Sequence, residues 1–329
     1  MGRPLAWSVP SAESLNRLPT ALQLAEVSLA MQHPLLGNWR PAAKRLPLLA
    51  GEHEGDLELA TSLEFAVMRH ERFAISGAEI TDYLNRWVPV SADLTALLSI
   101  RFRGGDRDLP FVDLSGQSRP WTTADLPALA GAAREVYGLF SPLYLQLWSS
   151  APVDAFSGLR RDRRCLAAPL AELAAPSVEL PAELTLCLTT DARHLPQAVG
   201  AYAALDAQHP AHARQAGILS REDLDECVAA GLMYDVLIGQ TWAGYAGVLP
   251  KDKLGLPVYS VQELLLTPEF RGRGYGAHLT TLLARALLKG PEPTRLLFGT
   301  IHADNAGAYP AALRAGRHDV GGWVELPLS

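Results

Sequence analysis

Arg271, Gly272, Arg273, Gly274, Tyr275, Gly276 and Ala277 stand between an apolar run and an amphipathic helix pattern, and no other segment constrains the chain as much. The run, residues 259–266, reads as a strand. After the glycines, Leu279, Leu282, Leu283, Ala286 and Leu287 recur at the spacing of one buried helical face. Without a Cβ, Gly272, Gly274 and Gly276 let the backbone turn tightly and lie flat against a ligand. Their N–H groups open a helix, where donors lack intrahelical partners and the dipole is positive. The segment therefore predicts an anion cradle suited to a pyrophosphate.

Two familiar cradles do not fit. A P-loop needs a Lys followed by Ser or Thr after its glycines, and none follows here. The dinucleotide fingerprint is formally met by Gly272, Gly274 and Ala277. However, that motif follows the first strand of a large sheet, with an acidic ribose ligand about 20 residues further on. Too little chain follows Ala277 for such a sheet, and the acid at that distance, Glu292, lies between two prolines.

Apolar residues make up 48% and charged residues 19% of the 329, a soluble globular profile with room for two cores. The net charge of −6 argues against general nucleic-acid binding. No run approaches the ~18 apolar residues of a membrane span, and the first residues lack the apolar segment of a secretory signal. Cys165, Cys187 and Cys227 are odd in number, far apart and set in apolar surroundings, so they read as core thiols in a reducing compartment. These features predict a cytoplasmic protein that binds neither membrane nor nucleic acid.

A Pro- and Ala-rich stretch over 174–183 carries no periodicity and sets the expected domains at 1–175 and 176–329. Beyond it the patterns predict a strand at 184–189 and a helix capped by Asp191 and running to about 205. A loop follows with His209 and His212, which lack a nearby Cys or acid cluster and do not predict a metal site. Ser220 and Asp223 open a short helix, and 232–238 with 242–248 form a hairpin. After the glycine loop and its helix come a strand at 295–301, a helix at 305–315 interrupted by Pro310, and a strand at 320–326. The class is α/β with a mixed sheet.

Before the boundary, 95–102, 111–114 and 143–149 read as strands and 124–138 as a helix. The segment Ser115 to Trp121 has one glycine and a proline where bare N–H donors would be needed for an anion. The first half is thus either a degenerate second copy of the later domain or an unrelated α/β domain. The run Arg160, Arg161, Asp162, Arg163, Arg164 reads as a solvated turn.

Arg271, Gly274 and Gly276 occupy the signature positions of the RxxGxG/A loop of the GCN5-related N-acetyltransferases (GNAT), and the chain resembles that family. The likeness extends to the order of elements over roughly 183–329, so it implies a GNAT fold in the C-terminal half and a degenerate GNAT-like domain in the N-terminal half. It further implies acetyl-CoA as a co-substrate bound without a metal. The expected reaction is transfer of an acetyl group to a primary amine of a small molecule or peptide, by direct attack in a ternary complex. By the same resemblance the cradle 271–277 takes the pyrophosphate, and Leu265, Leu266 and Thr267 line up with the segment that pairs with the pantetheine amides. Asn305 stands where the family places a cofactor-binding asparagine; an N-cap is the plainer role for it.

An alkyl ammonium, with a pKa of about 10.4, must lose a proton before it attacks. Glu263 is the only acid in the 259–266 strand and stands where several family members carry a glutamate used directly or through a water. A solvent-facing edge residue is the alternative, and His302 is a second candidate base. The sequence also departs from the family. Thr267 replaces an aliphatic residue, Ala312 a tyrosine that serves as general acid, and Arg317 a phenylalanine. Tyr309, nearly one helical turn before Ala312, is the candidate acid or else a packing aromatic. A thiolate of pKa about 8.5 leaves tolerably without one. These departures keep open an alternative reading, a catalytically inactive acyl-CoA-binding sensor or scaffold.

Overall fold

The computed structural model describes residues 18–152, 154–175 and 179–328. Contacts divide the chain into two compact units, one running to Arg160 and including the chain from Trp323 onward, the other Arg161–Gly322. The division thus falls ahead of the Pro/Ala-rich stretch, and residues 161–174 pack within the second unit. Residues 176–178 of that stretch, and the N-terminal segment read for a targeting signal, lie outside the described residues. Among the described residues no helix is long and apolar enough to cross a membrane.

In the second unit, β6 (Leu184–Leu188), β7 (Met233–Ile238), β8 (Thr241–Lys253) and β9 (Leu256–Leu264) form an antiparallel series. β10 (Leu296–His302) runs parallel to β9, as a strand joined through a crossover helix must. That helix, Tyr275–Leu288, buries Leu279, Leu283 and Leu287 against Val248, Tyr259 and Leu297. Successive strand residues alternate between faces. Leu249 and Leu265 accordingly meet a different set, Ala198 and Ala201 of the helix Leu195–Gln208 with Leu224 and Cys227 of the helix Arg221–Ala229.

Two details of β9 position the site. Gly247 stands opposite Glu263 and Val248 opposite Val261, so Gln262 is an extra residue on β9. Such a bulge bends a strand and increases its twist. β9 and β10 are paired only at Val258–Leu296, Tyr259–Leu297 and Ser260–Phe298. Both strands continue past that point, so they part at the bulge.

β10 is paired along its length on the other side by β5 (Arg160–Pro169), from Leu296–Pro169 to His302–Arg163. The arginine-rich run is therefore a strand, not a solvated turn. Its charges alternate with the pleat: Arg161 and Arg163 are exposed, whereas Asp162 and Arg164 are buried. Arg164, only 1% exposed, donates through Nε to both oxygens of Asp319, at 3.1 and 2.9 Å. Pro310, expected to interrupt a helix, lies in the first turn of Ala308–Arg314, where its missing N–H costs nothing. Cys165 and Cys227 are buried as expected, but Cys187 is exposed, because it lies on the edge strand β6.

The first unit begins with the helices Ala21–Met31, Leu35–Trp39, Ala42–Thr61 and Leu63–Phe73. β1 (Arg86–Pro89), β2 (Thr95–Phe102) and β3 (Pro110–Gln117) are antiparallel neighbours. The helix Leu126–Tyr137 then crosses to β4 (Tyr144–Ser149), parallel to β3. Leu98, Ile100, Val112, Leu129, Tyr137 and Leu145 form the core. The chain's last strand, β11 (His318–Pro327), contributes Val324 to it.

Asp319→Asn would remove the ionic partner of a buried cation and is expected to cost the second unit about 3 kcal/mol. An earlier urea transition reports this; an unchanged midpoint would show that the charge of Arg164 is met without Asp319.

Candidate active site

From Thr267 the chain makes one 3-10 turn, Pro268–Phe270, and reaches the glycines. Gly272 and Gly274 have φ of +74° and +86°. A Cβ at either would meet no atom within 4 Å, so the backbone conformation and not crowding demands glycine there. Gly274 caps the helix Tyr275–Leu288 without any side-chain hydrogen bond, leaving the first-turn N–H groups uncovered by a side chain. Gly272, Arg273 and Gly274 are exposed, while Tyr275, Gly276 and Ala277 are half-buried. Tyr275 donates its hydroxyl to Glu183, 2.8 Å away. Arg271 folds back, its Nε donating to the Leu266 carbonyl at 2.6 Å. Its Nη1 is buried without a hydrogen-bond partner among the described residues, and burial lowers its pKa.

The strand leading into the loop uses its backbone unevenly. Leu265 donates to the Tyr245 carbonyl at 2.9 Å and accepts from the Tyr245 N–H at 3.2 Å; Thr267 donates to Ala243 at 2.7 Å. Leu265 and Thr267 thus turn their N–H groups to β8, contrary to a role for all three residues in pairing with a ligand. By strand alternation the Leu266 N–H points to the other side, where β10 has already parted. Asn305 accepts with Oδ1 from Gly307 and Ala308, at 3.2 and 2.9 Å, so that oxygen is committed to the start of the helix Ala308–Arg314.

Glu263 is 3% exposed. The hydroxyl of Tyr202, on the helix Leu195–Gln208, donates to its Oε1 at 2.9 Å, and the Leu264 N–H reaches the same oxygen at 3.2 Å. Oε2 is buried without a hydrogen-bond partner among the described residues. Burial pushes the carboxyl up to about 7, against the opposing pull of the Tyr202 hydrogen bond. Backbone at Leu219 also favours the anion without closing a hydrogen bond to Oε2. Glu263 is thus not a solvent-facing edge residue. Beyond Tyr202, whose ring centre lies 5.9 Å from that of His212, His212 contacts Asp206 at 2.7 Å. The sequence gave no signal for Tyr202 as a partner of Glu263, because the two meet only through the fold. His302 accepts the Asp304 N–H at Nδ1, at 3.1 Å.

Tyr309 does not stand ready as an acid. Its hydroxyl donates to Asp319 Oδ2 at 2.6 Å, joining the Arg164 pair. Asp319 lies on β11, beyond β5 from β10 in the strand order, roughly 10 Å from β10 and on the side away from β9. Ala312, at the position of the family's tyrosine, is buried and carries no proton donor.

In the first unit β3 and β4 also part early, paired only at Val112–Leu145 and Asp113–Gln146. There Trp121 is buried, its indole N–H donating to the Trp148 carbonyl on β4 at 3.0 Å. At the start of the following helix the Asp125 carboxylate accepts from the Thr122 N–H at 2.7 Å and from both terminal nitrogens of Arg119 at 2.9 Å. The anion position of that helix is filled by the chain's own carboxylate.

Residues 200–316 match the family model "Acetyltransferase (GNAT) family". No curated protein matches the chain. Among solved structures, the chain is similar to a GCN5-related N-acetyltransferase from Sphaerobacter thermophilus, at 14% identity over 94% of each chain with a TM-score of 0.49. It is also similar to a GNAT-family acetyltransferase from Colwellia psychrerythraea, at 9% identity over 80% of this chain and 96% of that one, TM-score 0.49. A tandem GNAT protein from the clavulanic acid biosynthesis pathway shares 15% identity over 82% and 97%, TM-score 0.42. The second unit therefore carries a GNAT domain, the domain of an acyltransferase family.

The folded chain keeps the Glu263 proton over a range, about 4.5 to 7, in which an unfolded glutamate has lost it. This group therefore stabilises the fold at pH below that range, and the contribution is lost as pH rises through 7. The loss amounts to about 3 kcal/mol at most. Glu263→Gln should remove it, so the stability of the variant relative to the parent should rise between pH 5 and 8 in paired denaturant titrations. Asp56 and Asp113, raised by burial in the first unit, affect both proteins alike. Parallel profiles would place the Glu263 pKa at its ordinary value.

Proposed function

We propose that the second unit binds acetyl-CoA and transfers its acyl group to a primary amine of a small molecule or peptide. One juxtaposition carries this reading: a helix start uncapped by any side chain, a strand edge opened by a bulge, and a buried carboxyl with one unbonded oxygen, all between Gln262 and Ala277. First-turn N–H groups receive the pyrophosphate. The Leu266 N–H bonds the pantetheine arm or the thioester carbonyl, and the buried Nη1 of Arg271 is a further donor beside it. Glu263 takes a proton from the ammonium through Oε2, while Tyr202 holds Oε1 in place. The amine nitrogen then bonds the carbonyl carbon, the C–S bond breaks, and the thiolate leaves with the electron pair. Because Tyr309 is tied to Asp319, water protonates the thiolate.

For the first unit we infer a second, degenerate copy that takes no coenzyme. Trp121 stands in its strand gap and Asp125 in its anion position, so both binding elements are filled from within. Free cysteines, one of them exposed, fit a reducing cytoplasm.

Acetyl-CoA should raise the melting temperature, and Gly274→Glu should abolish the shift, since a carboxylate would oppose the pyrophosphate and glycine's φ would be lost. Equal protection by NAD or ATP would contradict the cradle. With an amine panel, Glu263→Gln should leave coenzyme affinity intact and lower turnover by about 10²–10⁴. Binding without turnover of any amine would instead favour an inactive acyl-CoA sensor.

A further inference from the structure

Arg317 is a buried cation without an anion. It is 3% exposed, and its side chain makes one hydrogen bond, from Nη2 to the Leu166 carbonyl at a long 3.4 Å. Nε has no partner among the described residues. Burial alone lowers its pKa, to about 10, with no carboxylate acting on it, so it remains charged at neutral pH. Arg164 shows the usual solution nearby, a carboxylate bridged by two of its nitrogens. An uncompensated buried charge costs several kcal/mol, so this one calls for a ligand that answers it.

Its position indicates which ligand. A Cβ on Gly299 would collide with Nη2 of Arg317 and stand 3.3 Å from the Cβ of Val261. Gly299 and Val261 directly follow Phe298 and Ser260, the last residues that pair β10 with β9. The guanidinium therefore lies at the vertex where the two strands part. If the pantetheine runs along Leu266 toward that vertex, as the proposed function has it, the acyl group is the part of the donor that points at Arg317. From Leu264 to Val261 is about 10 Å of strand, a span that a short dicarboxylic acyl chain and one hydrogen bond largely cover. An acetyl group falls short and brings no charge. Around the guanidinium the chain supplies Gly299, Val261 and Leu166, none of which competes for it.

We propose that Arg317 is the donor-specificity residue of this site, and that the preferred donor is an acyl-CoA whose acyl group ends in a carboxylate, of the malonyl or succinyl class. The inference rests on the coenzyme site proposed above. The reaction is unchanged in its balance: the amine nitrogen bonds the thioester carbonyl carbon, coenzyme A leaves as the thiolate, and Glu263 takes the proton. The distal carboxylate is a spectator held by a charge-assisted, two-pronged contact, and the amide product keeps it.

Calorimetric titration of the full chain with coenzyme A, acetyl-CoA, malonyl-CoA and succinyl-CoA tests this without knowledge of the amine. A donor with an acyl carboxylate should bind at least about tenfold more tightly than acetyl-CoA, a difference typical of one good charged contact. Arg317→Met, similar in length but uncharged, should erase that difference while leaving affinity for coenzyme A itself. If this variant does not fold, the donor profile of the parent decides alone. Equal or tighter binding of acetyl-CoA would overturn the proposal. So would an equal loss for all donors in Arg317→Met, which would make Arg317 a structural residue or a partner of the departing thiolate. Failure to bind coenzyme A at all would defeat the coenzyme site as well.

Discussion

The extra residue at Gln262 sets the geometry on which the rest of the second unit depends. A bulge bends and twists the strand that carries it, and pairing with β10 ends at Ser260, two residues before the bulge. A parallel strand normally spends its backbone groups on both neighbours. Here β9 keeps its bonds to β8 through Leu265 and Thr267 and turns the intervening backbone to an opening. The same opening holds Glu263 on one side and Arg317 at its vertex, and it leads into the glycine turn. A single local irregularity thus supplies the strand edge, the approach to the helix start and the pocket for the acyl group.

Three buried charges in this unit are handled in different ways, and the differences follow position. Arg164 is bridged by Asp319, which also receives the Tyr309 hydroxyl, so that group is satisfied within the chain. Glu263 has one oxygen bonded by Tyr202 and Leu264 and one left over. Arg317 has one long bond. The two incompletely satisfied charges stand at the β9–β10 opening, whereas the complete triad stands beyond β5. Incomplete satisfaction costs stability, and chains retain it where a ligand finishes the pairing. Tyr309 illustrates the converse. Its hydroxyl is chemically suited to protonating a thiolate but is consumed in holding Asp319.

The glycine turn was legible in the sequence because its requirement is local: a backbone with positive φ, a preceding strand and a periodic helix. The strands around 95–102, 143–149 and 295–301 were legible for the same reason, through apolar runs of strand length. β5 was not, because its first half alternates arginine with aspartate and imitates a solvated turn. The helices between Ala21 and Phe73 bury few residues each, and Pro47 sits inside one of them, which blurs their period. Asp191 read as a cap, yet its carboxylate serves the Arg193 N–H and the helix begins at Leu195. Glu263 was recognisable as a buried acid on an apolar strand. Its partner Tyr202 is 61 residues away, and the vacancy around Arg317 arises from three separate strands. Contacts of that range follow from topology, which local pattern does not encode.

The central claim is that coenzyme A lies along the parted edge of β9 with its pyrophosphate on the helix start at Gly274. Amide hydrogen exchange, measured with and without coenzyme A, tests this residue by residue. Protection should appear at Leu266 and across Gly274 to Ala277, with none at Leu265 or Thr267 beyond what their bonds to β8 already give, and none near Trp121 in the first unit. Protection centred on residues 115–125, or an unchanged pattern between Leu266 and Ala277 at saturating coenzyme, would contradict it.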